Sequence, residues 1–127
     1  MDKILAEISV GELIDKITIL EIKKDKISNK EKLLEVDKEL NSLKQTMNKF
    51  IPDQEKISEF KNNLKKINLK LWDIEDGKRT AEKNKKFDNN FIELARNVYK
   101  FNDERAKIKS QINKTLGSNI TEVKSYE

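Results

Sequence analysis

The residues of this sequence that could do chemistry concentrate in one stretch, Leu71–Arg79. It contains the single tryptophan of the chain, Trp72, together with three carboxylates, a glycine and an arginine. Carboxylates can bind cations, and an arginine can bind an anion. No catalytic or cofactor-binding motif accompanies the stretch. Its residue types therefore define a candidate site without identifying an activity.

Metal and acid–base chemistry are restricted by what the chain lacks. There is no histidine and no cysteine, which removes the commonest metal ligand, the commonest general base near neutral pH and any thiolate or disulfide. Asp73 and Asp76 have the spacing to share one side of a helix and could hold magnesium, but no second acidic pair stands clearly opposite them. We therefore assign no metal site, no cofactor and no catalytic residue.

Arg105 adds to the candidate site, because it falls within a run of regularly spaced apolar residues. A buried arginine requires a carboxylate partner, a water-filled cleft or an anionic ligand. The residues that we predict to gather into one ligand site lie on facing sides of two helices: Trp72, Glu75, Asp76, Arg79, Arg96, Tyr99, Asn102 and Arg105. Two interpretations stay open: ion pairs that only join the helices, or a pocket for an anionic ligand.

The elements that must position these residues are helices of a single domain, residues 1–127. One proline and three glycines are the only strong helix breakers in the chain. Apolar residues recur at alternating three- and four-residue spacings, which is typical of helices that pack along one stripe. We predict an all-α fold, an antiparallel bundle of about four helices with a long coiled-coil-like helical hairpin. The helices are expected at about 10–27, from a break near 29 to Phe50, from beyond Pro52 to about 84, and from about 89 to Leu116.

Local signals mark the helix ends. The residues suited to capping are Ser9 with Glu12, Ser28 with Glu31, Asp88 and, at a C-terminus, Gly117. The apolar stripe of the first helix is predicted to include Lys24, and that of the second to end with Phe50. The two chain ends, 2–9 and 118–127, are expected to be extended and to form a short β-pair.

An antiparallel hairpin of the third and fourth helices makes a specific register possible. With a turn near residue 86, facing positions should sum to about 172, which brings Leu71 opposite Phe101 and gives every apolar stripe residue an apolar partner. The same register predicts three polar contacts between the helices: Asp76 with Arg96, Arg79 with Glu93, and Asp73 with Tyr99. Stripes this long in a short chain also predict a homodimer, because one chain cannot cover them all.

Charge and hydropathy exclude some classes of partner. The net charge of +4 comes from interspersed lysines, with only three arginines, whereas a nucleic-acid-binding face would concentrate arginine and lysine in a stripe. No apolar run approaches the ~20 residues of a membrane span, and the N-terminus has no signal-peptide pattern. We expect a soluble, cytoplasmic protein for which nucleic acid is an unfavoured partner; nucleic-acid binding by the lysine-rich faces is kept as a third hypothesis beside the two given below.

Several longer strings carry a resemblance that covers nearly the whole chain: residues 8–23, 71–76, 87–109 and 122–126. Together they resemble an uncharacterised all-helical family of bacteria and their phages, whose members are sometimes found beside or fused to glycosyltransferases. The resemblance implies a glycosyltransferase partner and a role in surface-polysaccharide pathways. Residues 11–26 also loosely resemble the first helix of the all-helical chorismate mutases, without a residue role that can be carried over.

Two hypotheses about function follow. The first is a non-catalytic helical binding or scaffolding module that assists a glycosyltransferase, which the absence of histidine and cysteine and the long apolar stripes favour. The alternative is a small enzyme or anion-binding protein that uses the polar cluster on the third and fourth helices.

Overall fold

A computed structural model describes residues 1–125 and contains four α-helices. They are α1 (Val10–Lys26), α2 (Lys30–Phe50), α3 (Glu55–Asn84) and α4 (Asn89–Leu116). The predicted all-α bundle is therefore confirmed, and each predicted helix boundary lies within a few residues of the observed one.

The helix ends follow the capping residues of the sequence, with one exception. The Ser9 hydroxyl accepts a hydrogen bond from the Glu12 backbone N–H at 3.0 Å, and Asp88 accepts from two backbone N–H groups of the first turn of α4. Gly117 has a φ of 64°, a left-handed conformation that a glycine adopts without strain. The prediction of Ser28 as the cap of α2 is wrong: Asn29 caps that helix and accepts from Lys32 N–H at 3.0 Å.

Helix α1 lies at the centre of the fold. It packs against all three other helices, and α3 packs also against α4. Eight of its 17 residues are buried, whereas only two of the 28 residues of α4 are. The predicted stripe of α1 was therefore too narrow, because a helix with neighbours on several sides buries more than one stripe.

The core is formed by apolar side chains from the four helices and from Ile51, which follows α2. Its members are Leu13, Ile14, Ile17, Leu20, Val36, Leu40, Met47, Ile51, Ile57, Leu64 and Ile112. Two predicted stripe positions are wrong. Lys24 is exposed and pairs with Asp37 at 3.2 Å, and Phe50 is 70% exposed while the adjacent Ile51 is buried in its place.

Helices α3 and α4 form the predicted antiparallel hairpin in a register within one residue of the predicted one. A Cβ added to Gly77 would lie 3.1 Å from Leu94 Cδ1, and the Lys70 ammonium lies 5.0 Å from the centre of the Phe101 ring. Both pairs sum to 171. The glycine therefore marks a close approach of the two helices.

Only one end of this hairpin is covered by α1. The α3 residues that bond to α1 are Lys61 and Asn68, and the side chains of α4 that bond to it lie between 105 and 113. Towards the 85–88 turn, Ile74 is the single buried residue of α3 beyond Asn68. We call the part formed by residues 70–102 the projecting half of the hairpin.

The two chain ends meet, but not as strands. The described part of the chain, 1–125, contains no β-strand, so the predicted β-pair does not form there, and Tyr126 lies outside the described residues. Side chains make the connection instead: the Asn119 amide donates to Glu7 and the Ser118 hydroxyl accepts from the Val10 N–H at 3.0 Å. No helix in this part of the chain is long and apolar enough to cross a membrane.

Candidate functional site

A fully buried carboxylate, Asp15, stands in the middle of α1. Its side chain is 0% exposed, and the Arg105 guanidinium of α4 donates hydrogen bonds to both of its carboxylate oxygens. The Arg105 Nε lies 3.0 Å from each oxygen, and Nη2 donates a further hydrogen bond to Oδ2. A buried carboxylate demands such a partner, since an unpaired charge inside a protein is strongly unfavourable.

Asn68 of α3 completes the hydrogen bonding of this carboxylate. Its amide nitrogen donates to Asp15 Oδ1 and to the Thr18 hydroxyl, both at 2.9 Å. Thr18 in turn donates to the Asp15 carbonyl at 2.8 Å. Asp15 therefore links three helices, because its partners come from α1, α3 and α4.

Lys109 lies one turn of α4 beyond Arg105 and is surrounded by acids. Its ammonium is 2.5 Å from Glu12 Oε2, 3.9 Å from Asp15 Oδ2 and 3.7 Å from Glu122 Oε1. We name Glu12, Asp15, Arg105, Lys109 and Glu122 the charge cluster. With three acids and two bases, the charge cluster carries a formal charge of −1.

The C-terminal segment closes the cluster over the start of α1. Glu122 accepts from the Ser9 hydroxyl at 2.6 Å and from the Asn113 amide at 3.4 Å. Asn113 also accepts from the Gly11 backbone N–H at 2.7 Å, which satisfies an N–H group that has no partner within its own helix. The polar groups at this helix end are thus bonded within the chain.

The surroundings of Arg105 stabilise its protonated, charged form. Its hydrogen bonds to Asp15 raise the pKa of the Arg105 guanidinium above its ordinary value, and the charges of Asp15 and Glu12 add to the effect, while burial acts in the opposite direction. The arginine is therefore a permanent cation that Asp15 neutralises. A guanidinium that is bound in this way is not available to an external anion.

A cleft of about 660 Å³ runs beside the charge cluster, between α4 and the C-terminal segment. Arg105, Lys109, Asn113 and Glu122 are among the residues that line it. Their polar atoms already bond to one another or to α1. No group of acidic side chains in residues 1–125 has an arrangement that could hold a metal ion. The polar groups of these four lining residues thus form contacts that stabilise the fold.

The structure divides the eight predicted site residues. Arg105 joins the charge cluster, and Asn102 accepts a hydrogen bond from it at 3.4 Å. Nine residues away on α4, Arg96 is exposed and pairs with Glu93 within its own helix at 3.0 Å. The two arginines thus engage separate carboxylates. Ligand binding by the eight residues as one site stays a prediction.

The three predicted polar contacts between α3 and α4 do not form in the described part of the chain. Glu93 pairs with Arg96, so it serves neither Arg79 nor a bond between the helices. The hydrogen bond at Asp76 lies within α3: its backbone carbonyl accepts from the Thr80 hydroxyl at 3.0 Å. The register is right, but these side chains are exposed, and exposed pairs contribute too little to impose a geometry.

Helical spacing places five of the eight residues on one side of the projecting half. Asn68, which bonds to α1, is followed on the same side of α3 by Trp72, Glu75 and Arg79 at helical spacings of four, three and four. On α4, steps of seven residues lead from Asn113 to Tyr99 and Ile92, and from Lys109 to Asn102 and Ala95. The residues of this surface are Trp72, Glu75, Arg79, Ile92, Ala95, Tyr99 and Asn102, and we call it the open face.

The open face continues the surface that α1 covers, but without a cover of its own. Asn68 and Asn113 are 6% and 3% exposed where α1 packs, while Tyr99 is 65% and Ile92 43% exposed further out. Trp72 is half-buried and Arg79 is exposed. Trp, Tyr and Arg are the residue types that dominate the binding energy of protein interfaces.

Sequence reasoning missed most of the charge cluster. The spacing of the apolar residues singled out Arg105 and its need for a carboxylate, but it did not indicate that Asp15, Lys109, Glu12 and Glu122 belong to the same cluster. One signal was present: Asp15 interrupts the apolar run Leu13–Leu20 next to Ile14. An acid at such a position must be paired when the helix is buried on several sides.

The fold and the site define a class: a small all-helical protein whose central helix is joined to a long hairpin by a buried charge network. A family model described as "Family of unknown function (DUF6165)" matches residues 4–127. The chain therefore belongs to that family. No curated protein and no solved structure gave a match.

Proposed function

We infer that the chain is a non-catalytic helical binding module, which binds a protein partner through the open face of the α3–α4 hairpin. The observation that carries this inference is the change along one surface. Where α1 covers this surface, its residues are buried and hydrogen-bonded. Further out, no described part of the chain covers it, and Tyr99 is 65% exposed. An exposed aromatic side chain on a rigid helix is a good anchor for a partner, because it has few rotatable bonds and loses little conformational entropy on binding.

The charge cluster supports the non-catalytic part of the proposal. A general acid or base must have a proton or lone pair available to a substrate. Asp15 instead has both oxygens bonded to Arg105 and Asn68, and Lys109 is held by Glu12. The anion-binding alternative has less support for the same reason, because its buried arginine is already neutralised.

The class of partner rests on the resemblance to a family associated with glycosyltransferases. A helical module beside such an enzyme would hold it in a complex or position it for a surface polysaccharide. A soluble, cytoplasmic location is part of the same proposal.

Calorimetric titration of the purified chain with a glycosyltransferase from the same genome tests this function. We expect binding that Tyr99→Ala weakens at least about tenfold, the usual effect of losing an interface anchor. The matched control is Phe50→Ala, since Phe50 is 70% exposed at the end of α2, far along the chain from the open face. Equal affinities for the wild type and Tyr99→Ala, or no binding of the enzyme, would contradict the proposal.

A further inference from the structure

Four residues of the open face are arranged symmetrically along the hairpin. On α3, Glu75 and Arg79 stand two residues to either side of Gly77. On α4, Ile92 and Tyr99 stand to either side of a point between Ala95 and Arg96. Each helix therefore carries two unlike but complementary side chains about a centre: an acid with a base, and an aliphatic group with an aromatic ring.

The two centres lie at nearly the same height. Gly77 approaches Leu94, so the centre on α3 is level with position 94 of α4, and the centre on α4 lies one to two residues further along. At ~1.5 Å per residue, the difference is about 2 Å. One two-fold axis in the plane of the face, perpendicular to the helices, can therefore pass through both centres.

We propose that a second copy of this chain binds the open face in an antiparallel, two-fold-symmetric dimer. The proposal rests on the proposed function, because it uses the same face, and it adds a second copy of the chain that competes with a glycosyltransferase for that face. Rotation about this axis places α3 on α3 of the other copy and α4 on its α4. Glu75 then meets Arg79 of the other copy twice, and Ile92 meets Tyr99 twice, with the small Ala95 near the axis. A self-complementary surface of this kind is what a two-fold dimer requires.

The charged groups are free to make these pairs. Arg79 has no hydrogen bond or ion pair within residues 1–125. Glu75 has only an exposed contact with Lys78 at 3.4 Å, where its side chain is 51% exposed, and such a contact contributes little. The symmetric pairing would replace it with pairs that neighbouring side chains shield from water.

The size of the face sets the expected strength. From residue 92 to 102 the face is about 15 Å long, which corresponds to an interface at the small end of the range for specific complexes. The dimer is therefore expected to dissociate in the micromolar range rather than to be permanent, and its population should change with concentration between roughly 10 and 500 µM.

Sedimentation equilibrium of the full chain over that concentration range tests the proposal with charge-reversed variants. We expect Arg79→Glu and Glu75→Arg each to raise the dissociation constant of the self-associated pair at least tenfold, because like charges then face each other twice. Mixing the two variants should restore association, since one variant has two acids and the other two bases at these positions. The control is Lys38→Glu, which reverses an exposed lysine of α2, a helix that packs only against α1, and should leave association unchanged.

The result that supports the proposal is recovery of a mixed dimer by two variants that do not self-associate. A chain that stays monomeric to about 500 µM, or a dimer that neither reversal weakens, would overturn it. If the wild type is monomeric and Tyr99→Ala still weakens binding of a glycosyltransferase, the open face binds a different protein: the dimer fails and the proposed function stands. If Tyr99→Ala changes neither self-association nor the binding of a glycosyltransferase, both the dimer and the proposed function fail.

Discussion

At the residue scale, Asp15 decides how the helices are held together. It is an acid in the most buried helix, and its carboxylate receives hydrogen bonds from Arg105 and Asn68. Removing one partner of a buried pair leaves the other without compensation, which is far more unfavourable than the net contribution of the pair itself. The fold therefore requires a negative charge at position 15 to compensate Arg105.

We expect Asp15→Asn to lower the free energy of unfolding by about 2–3 kcal/mol, below the full value for a broken buried pair because the Arg105 side chain is 28% exposed and can reach water. Urea unfolding followed by circular dichroism measures the change. Asp25→Asn, an exposed acid on the same helix, is the control and should change stability by less than about 0.5 kcal/mol. A midpoint equal to that of the wild type would show that Asp15 is not required.

The Arg105–Asp15 pair of the wild type also has a defined effect on how stability depends on pH. The pKa of Arg105 is raised in the folded state, so the stability that this group contributes is fully present below its unfolded-state pKa and is lost only as the pH rises through the higher folded-state pKa. Both values lie at strongly alkaline pH. Arg105 therefore adds no pH dependence to stability near neutrality, where it remains protonated.

At the scale of the elements, two glycines mark two kinds of close helix contact. A Cβ added to Gly11 of α1 would lie 2.6 Å from the Lys109 carbonyl oxygen, a backbone atom of α4. A Cβ on Gly77 of α3 would meet only the end of the Leu94 side chain, at 3.1 Å. A side chain can rotate away, whereas a helix backbone must move as a whole.

Gly11→Ala should therefore destabilise the protein by about 1–3 kcal/mol, as overpacking does, even though alanine is the better helix former by up to about 1 kcal/mol. Gly77→Ala, the matched substitution in α3, should fall within about 1 kcal/mol of the wild type, since a small shift of Leu94 offsets part of the helix gain. Thermal and urea unfolding of both variants measure the difference. Equal stabilities of the two would show that α1 and α4 can separate slightly without loss.

The helices, their approximate ends and the α3–α4 register could be predicted because they depend on local spacing and on one short turn. The surroundings of Arg105 could not, because its carboxylate partner Asp15 is 90 positions away along the chain. Asn68, which bonds to the same carboxylate, lies on a third helix. Nothing in a single sequence indicates which distant helix will supply a carboxylate. The partner predicted for the exposed Arg96 was wrong for the opposite reason: in water, Glu93 on the same helix competes successfully.

At the scale of the whole molecule, packing is uneven along the hairpin. The base of α3 and α4 shares a core with α1, which includes Ile57, Leu64 and Ile112. Beyond Asn68, Ile74 is the only buried residue of α3, and α4 has none before Ile112. Helices that bury only a single shared stripe are marginally stable by themselves in water. The projecting half therefore depends on the base for its own helix structure, or on a partner that covers the open face.

Hydrogen exchange should separate the two halves of the hairpin. In dilute protein, at about 10 µM, we expect amides of residues 78–95 to exchange at least about tenfold faster than those of residues 13–20 in α1, because local opening of the projecting half exposes little apolar surface. Residues 57–68 of the same helix α3 are the internal control and should follow α1. Raising the concentration should slow exchange in 78–95 but not in 57–68 if a second copy covers the open face, since the projecting half then gains a partner and the base does not. Uniform protection along α3 in dilute protein would instead mean that the hairpin opens as one cooperative unit, so that the packing of the base extends its stability to the turn without help from another chain.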